Sequence, residues 1–119
     1  MKISVISVTF NSARTVKDTI ESVQAQQFPQ VEHIIIDGLS SDNTLPVVRQ
    51  YSNIAVVVSE KDSGIYDAMN KGIRLASGDV IGILNSDDVY ADNNVLNEVD
   101  RKSTRLTPVT SLSRMPSSA

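Results

Sequence analysis

Four short runs of β-branched and aliphatic residues recur along this chain, each followed by a polar corner and a helix-length connection. They are Lys2 to Thr9, Val31 to Asp37, Ile54 to Val58 and Val80 to Leu84. Runs of four to eight such residues, bounded by Gly, Asn, Asp or Ser, read as buried strands. Between them Val16, Ile20 and Val23 fall on one face of a helix expected over 13–27, and a short helix is expected over 45–51. Ile65, Ala68, Met69, Gly72, Ile73 and Ala76 form a longer apolar stripe, with Gly78 placed as its left-handed C-terminal residue. Asn11 or Ser12 is expected to cap the first helix, and a weaker helix is expected over 91–100 with Asp92 as its cap. The order β-α-β-α-β-α-β implies a three-layer α/β/α domain around a mostly parallel, Rossmann-like sheet. The apolar character of 54–58 predicts a strand buried on both faces.

In such a sheet the strands' carboxyl ends share one edge, where ligands bind. Three polar ends converge there: Thr9-Phe10-Asn11, Asp37-Gly38 and Asn85-Ser86-Asp87-Asp88. Adjacent carboxylates at a strand end repel unless a cation or hydrogen-bond donors lie close. A divalent ion carrying diphosphate oxygens would answer that repulsion, although Asp88 could equally serve as a helix cap. Asp37 is either a turn former or an acceptor for a base imide or a ribose hydroxyl. Asp67 and Asn70 share one face of the third helix, where a solvated face is the plain alternative. His33, the only histidine, sits in a strand with no partner in sequence and reads as structural.

Charge narrows the partners. The first 100 residues carry all 14 acids and seven of the 11 bases, so that part is strongly acidic, which argues against nucleic acid. With no cysteine there are neither disulfides nor thiolate metal sites. The start has no signal-peptide layout and no run approaches a spanning helix, so a cytoplasmic protein is expected, peripheral at most to the inner face of a membrane. From Arg101 the composition turns to Ser, Thr, Arg and Pro without acids, so 1–100 are expected to form the domain and 101–119 a disordered, non-native tail. A dinucleotide fingerprint is absent, since the first strand's corner contains no glycine, and so is the Gly-Lys-Ser/Thr of a P-loop.

With Ser7-Val8-Thr9-Phe10-Asn11, then Ile36-Asp37-Gly38-x-Ser40-x-Asp42-x-Thr44, then Leu84-Asn85-Ser86-Asp87-Asp88 in order, the chain resembles glycosyltransferase family 2. The stretch Ser59-Glu60-x-Asp62-x-Gly64-Ile65-Tyr66-Asp67-Ala68-Met69-Asn70-Lys71-Gly72 is similar to bacterial members that build exopolysaccharides. The resemblance covers about residues 3 to 96. It implies a GT-A fold and transfer, with inversion, from a nucleotide-diphospho-sugar, commonly a UDP-sugar, to a saccharide or lipid-linked acceptor. It places Thr9, Asn11, Asp37, Asp67, Asn70, Asn85 and Asp88 in the nucleotide-sugar site. Asp87 would bind Mn²⁺ or Mg²⁺. Asn85 stands where the family's metal motif has its first Asp, and Met69 where an arginine is common. The general base of the family lies beyond that motif, so the chain is expected to hold the donor half and to be weakly active or inactive. A non-catalytic nucleotide-sugar binding module is the alternative, and a nucleotidyltransferase the more distant one.

Overall fold

The computed structural model describes residues 2–86, 88–97 and, as backbone only, 109–111. Its elements alternate as expected: β1 (Ile3–Thr9), α1 (Val16–Gln24), β2 (Val31–Asp37), α2 (Thr44–Val48), β3 (Ile54–Ser59), α3 (Ile65–Leu75) and β4 (Val80–Ile83). A short β5 (Val109–Ser111) follows, in the stretch whose composition suggested no regular element. The strand order is β3-β2-β1-β4-β5, and every pairing is parallel.

Side-chain alternation along the strands builds two cores. Ile6, Ile34, Ile36 and Ile83 pack with Ala68 of α3 on one face. On the other, Ile35 meets Val16 and Ile20 of α1 and Val48 of α2, while Ile3, Val5 and Val80 gather around Val23, Tyr90 and Leu96. Both faces of β1 and β2 are therefore covered, and these strands read as continuous apolar runs.

Strand β3 departs from the sequence expectation. It is an edge strand of which Ala55 is exposed and the other residues are half-buried. The register slips between His33 and Ile34, which pair with Ile54 and Val56, leaving Ala55 as an inserted residue. A bulge of this kind bends an outer strand and makes it a poor template for further pairing.

The helix ends also correct two expectations. Neither Asn11 nor Ser12 caps α1 through its side chain. The N-cap is Thr15, without a side-chain cap bond, and the Ser12 carbonyl accepts the N–H groups of Thr15 and Val16. After α3 the chain leaves by an extended Ala76 (φ −69°, ψ 138°), so Gly78 is not a left-handed terminator. Gly78 is required by proximity: a Cβ there would stand 2.7 Å from the Ser4 nitrogen and 2.9 Å from the Lys2 carbonyl oxygen. Of the expected fourth helix, residues 95–97 are helical, Asp92 accepts the Asn94 N–H, and 98–100 lie outside the described residues.

Gly72 sets how closely α3 approaches the sheet. A Cβ on it would sit 2.5 Å from Cγ2 of the fully buried Ile6. Overpacking there outweighs the better helix propensity of alanine. Gly72→Ala is expected to lower stability by about 1–2 kcal/mol, read as a lower midpoint in urea unfolding. An unchanged or higher midpoint would show that Ile6 yields freely.

Candidate functional site

Between β1 and β4 the strand order reverses, because β1, β2 and β3 step one way across the sheet and β4 returns to the far side of β1. Loops leaving two such strands diverge and open a crevice at their carboxyl ends. A cavity of about 810 Å³ lies there. Thr9, Phe10, Asn11 and Ser12 line it from the end of β1, Asp62 and Gly64 from the segment ahead of α3, and Asn85 and Ser86 from the corner after β4. Arg14 is the one basic side chain among the lining residues and Asp62 the one acid.

The loops around this cavity are bonded to one another. The Asn11 amide donates to the Ser40 hydroxyl (2.8 Å), and the Asn11 side-chain oxygen accepts the Ser41 N–H (2.9 Å). Ser12 donates its N–H to the Thr44 hydroxyl at 2.7 Å, and its own hydroxyl lies 2.8 Å from that of Ser86. Two residues here hold positive φ without being glycine, Asn11 (47°) and Leu39 (65°). Asparagine tolerates that region through local hydrogen bonds, whereas leucine stores strain there. Gly64 (φ 117°) begins α3 in a conformation that side chains rarely adopt, and Asp62 accepts its N–H at 3.2 Å.

Asp37 is the hub beneath these loops. Its carboxylate is fully buried and accepts four hydrogen bonds: Thr9 and Ser40 hydroxyls on one oxygen (both 2.6 Å), the Ser40 N–H (2.8 Å) and Ser59 hydroxyl (3.0 Å) on the other. Burial alone would raise its pKa, but the bonds from Ser40, Thr9 and Ser59 outweigh it and hold the carboxyl below its ordinary range. Both oxygens are thus filled by protein donors. Asp37 does not line the cavity.

The remaining expected residues divide. Thr9 lines the cavity, although its hydroxyl proton goes to Asp37, and Asn11 lines it while also holding Ser41. Asn85 lines it, and its side-chain oxygen is buried without a hydrogen-bond partner among the described residues. Asp88 lies buried behind the corner, its N–H donated to the Asn85 carbonyl at 3.0 Å. Asp67 and Asn70 are not among the lining residues. Asp67 accepts the Ser63 N–H (2.9 Å) and pairs with Lys71 (3.7 Å), which fixes the entry into α3. Asn70 is exposed on α3. Asp87, the expected metal ligand, lies outside the described residues, among which no group of three His, Cys, Asp or Glu side chains gathers to hold a metal.

Residues not singled out as site positions add to it. Ser12, Arg14 and Ser86 line the cavity, as does Asp62, whose Asp-x-Gly pattern ahead of α3 was the available signal. Gly38 admits that segment, since a Cβ there would meet the Asp62 carboxylate oxygen at 3.1 Å.

His33 is buried away from this cavity. Its Nε2 lies 2.9 Å from the Ser7 hydroxyl, and burial pushes its pKa down to about 3. It is structural, as its isolation in the sequence indicated.

Residues 4–106 match the family model described as Glycosyl transferase family 2. An uncharacterized glycosyltransferase of Mycobacterium tuberculosis is 40% identical over 96 residues, which are 79% of this chain and 37% of that protein. The putative teichuronic acid biosynthesis glycosyltransferase TuaG of Bacillus subtilis is 37% identical over 92 residues, 74% of this chain and 36% of that one. Among solved structures, S. aureus TarS in complex with UDP-GlcNAc superposes with a TM-score of 0.79 at 27% identity, over 85% of this chain and 30% of TarS. The fold is thus the GT-A arrangement that the resemblance implied. The chain spans about a third of the length of the curated relatives it matches.

Proposed function

Since the chain belongs to glycosyltransferase family 2, we propose that it forms the donor-binding part of an inverting enzyme that takes a sugar from a nucleotide-diphospho-sugar. The observation that carries this reading is the buried side-chain oxygen of Asn85 at the strand-order reversal, without a partner among the described residues and beside a cavity of about 810 Å³. A buried acceptor left without a donor costs free energy, and a ribose hydroxyl or a cation would satisfy it. Thr9 and Asn11 shape the nucleotide side, Phe10 and Ile65 offer apolar walls to a ring, and Arg14 offers a positive charge to the diphosphate. Asp37 contributes by holding Thr9, Ser40 and Ser59 in place, and reaches a base only if one of those donors gives way. Asp67 acts through the shape of the loop ahead of α3, Asp88 through the corner's backbone, and Asn70 offers an exposed amide on α3.

An oxygen ligand suits a hard divalent ion, Mn²⁺ or Mg²⁺, with Asp87 as its protein ligand and the Asn85 oxygen beside it for a ribose hydroxyl. Such an ion, when bound, neutralises charge on the leaving diphosphate. In the transfer the acceptor hydroxyl oxygen bonds to the anomeric carbon as the bond to diphosphate breaks, and a carboxylate takes the hydroxyl proton. His33 is no candidate for that base, being buried away from the cavity and, with a pKa lowered to about 3, only weakly basic. The base is expected in the part of the relatives that this chain does not span, so the chain alone should bind donor and turn it over weakly or not at all.

UDP is the expected nucleotide, supported by the TarS complex with UDP-GlcNAc. The likeness to TuaG supports a saccharide or lipid-linked acceptor in polysaccharide synthesis. No helix among the described residues is long and apolar enough to cross a membrane.

Calorimetric titration with UDP, with and without Mn²⁺, tests the reading. Metal-dependent binding is expected, weakened at least tenfold by Asp87→Ala and by Asn85→Ala, a loss of about 1.4 kcal/mol or more. A folded chain that binds neither UDP nor GDP would overturn it.

A further inference from the structure

Helix α1 carries a row of polar side chains that hold the corner after β4 from behind. Thr19, Ser22 and Gln26 are spaced by three and four residues, so they share one side of the helix and its immediate extension. The Thr19 hydroxyl, fully buried, donates to the Asp88 carbonyl at 2.6 Å, with the carbonyls of Ser86 and Asn85 at 3.0 and 3.4 Å. Further along, Ser22 accepts the Tyr90 N–H at 2.6 Å. Gln26 then donates to the Asp92 carbonyl (2.6 Å) and accepts the Leu96 N–H (2.9 Å).

A threonine inside a helix ordinarily turns its hydroxyl to a carbonyl of the preceding turn. Thr19 instead gives its one proton to another element, 69 residues away in sequence. Three carbonyls around one hydroxyl mean that residues 85, 86 and 88 are curled about this atom. Asn85 and Ser86, whose side chains line the cavity, belong to that curl.

We propose that Thr19 is a positioning residue, whose hydroxyl sets the curvature of the backbone at Asn85, Ser86 and Asp88 so that Asn85 presents its side-chain oxygen to a metal-bound nucleoside diphosphate. Thr19 itself touches no ligand. The ligand part of this statement rests on the proposed function, while the curvature part stands on the geometry alone.

Thr19→Val keeps the shape and removes the hydroxyl, and Thr19→Ser keeps the hydroxyl. Two readouts on the full chain separate the parts. In amide hydrogen exchange, Thr19→Val is expected to speed the Asp88 amide at least tenfold, leaving the β1 and β2 amides at wild-type rates, and Thr19→Ser to restore it. In titration with UDP, Thr19→Val is expected to lose at least tenfold in affinity with Mn²⁺ present and little without it, again restored by Thr19→Ser. Wild-type exchange at Asp88 in Thr19→Val, or an equal acceleration across the whole sheet, would overturn the proposal. So would an unchanged response to Mn²⁺ in a variant whose wild-type parent binds UDP. If the wild-type chain binds no nucleotide, the functional reading fails, and the exchange experiment still decides whether Thr19 sets the corner.

Discussion

Asp37→Ala is expected to destabilise the chain by about 3 kcal/mol or more in the absence of any ligand. The carboxylate accepts four hydrogen bonds from three segments, through Thr9 at the end of β1, Ser40 in the loop after β2 and Ser59 at the end of β3. Truncation leaves three hydroxyls and one N–H competing for acceptors in a place that solvent does not reach, since Asp37 is fully buried. Bonds to a charged acceptor are worth more than neutral ones, and stranded donors add their desolvation cost. Asp37→Asn keeps the volume but turns an NH₂ group toward donors, so it should recover little. Its depressed pKa also means that this stabilisation is present above the ordinary carboxylate range and is lost as pH falls through the folded value. Urea unfolding of the nucleotide-free variants checks the expectation. Wild-type stability combined with lost nucleotide binding would instead make Asp37 a direct ligand contact.

The second large effect concerns pH. Burial lowers the His33 pKa from 6.5 to about 3, so the folded chain keeps this imidazole neutral while the unfolded chain protonates it below 6.5. Stability is therefore complete above pH 6.5 and declines as pH falls from there toward 3. The expected loss between pH 7.5 and pH 5 is about 2 kcal/mol. His33 is the only histidine, so carboxylates, which titrate lower, do not blur this window. The small cavity of about 130 Å³ beside it is lined by Val23, Gln24, Gln26, Phe28, Val31 and Asn53, none of them an acid that would welcome a cation. Urea midpoints at the two pH values should differ in the wild-type chain and nearly coincide in His33→Gln. Equal midpoints in the wild-type chain would mean that the imidazole charges in place without penalty.

The order of elements was legible because each buried strand is a compact apolar run and α1 and α3 each carry an apolar stripe. Strand β3 shows the limit of that signal. Its composition matches β1 and β2, but an outer position in the sheet is decided by topology, not by its own residues. Gly78 looked like a helix terminator because it follows a stripe. The constraint on it comes from Lys2 and Ser4, more than seventy residues earlier.

The site was legible as three polar corners, and Thr9, Asn11 and Asn85 do line the cavity. Asp37 was harder to read. An acid before a glycine announces a turn or a ligand contact, while its actual partners Thr9 and Ser59 lie 28 and 22 residues away. Thr19, Ser22 and Gln26 left no signal, because polar residues between and just beyond Val16, Ile20 and Val23 look like an ordinary wet side of an amphipathic helix. Their task appears only when a segment from much later in the chain is laid against them.

The row of bonds from α1 to the last corner also orders events in time. Local units such as β1, α1 and β2 close short loops, whereas the bond from Thr19 to Asp88 closes a loop of 69 residues. The corner can acquire its shape only after α1 has docked and α3 has returned the chain to the sheet. It should therefore form late in folding, and be the first part to open and the first to respond when the molecule is perturbed. A chain of this design assembles its scaffold first and its last corner afterwards, so a half-folded molecule does not display the complete crevice.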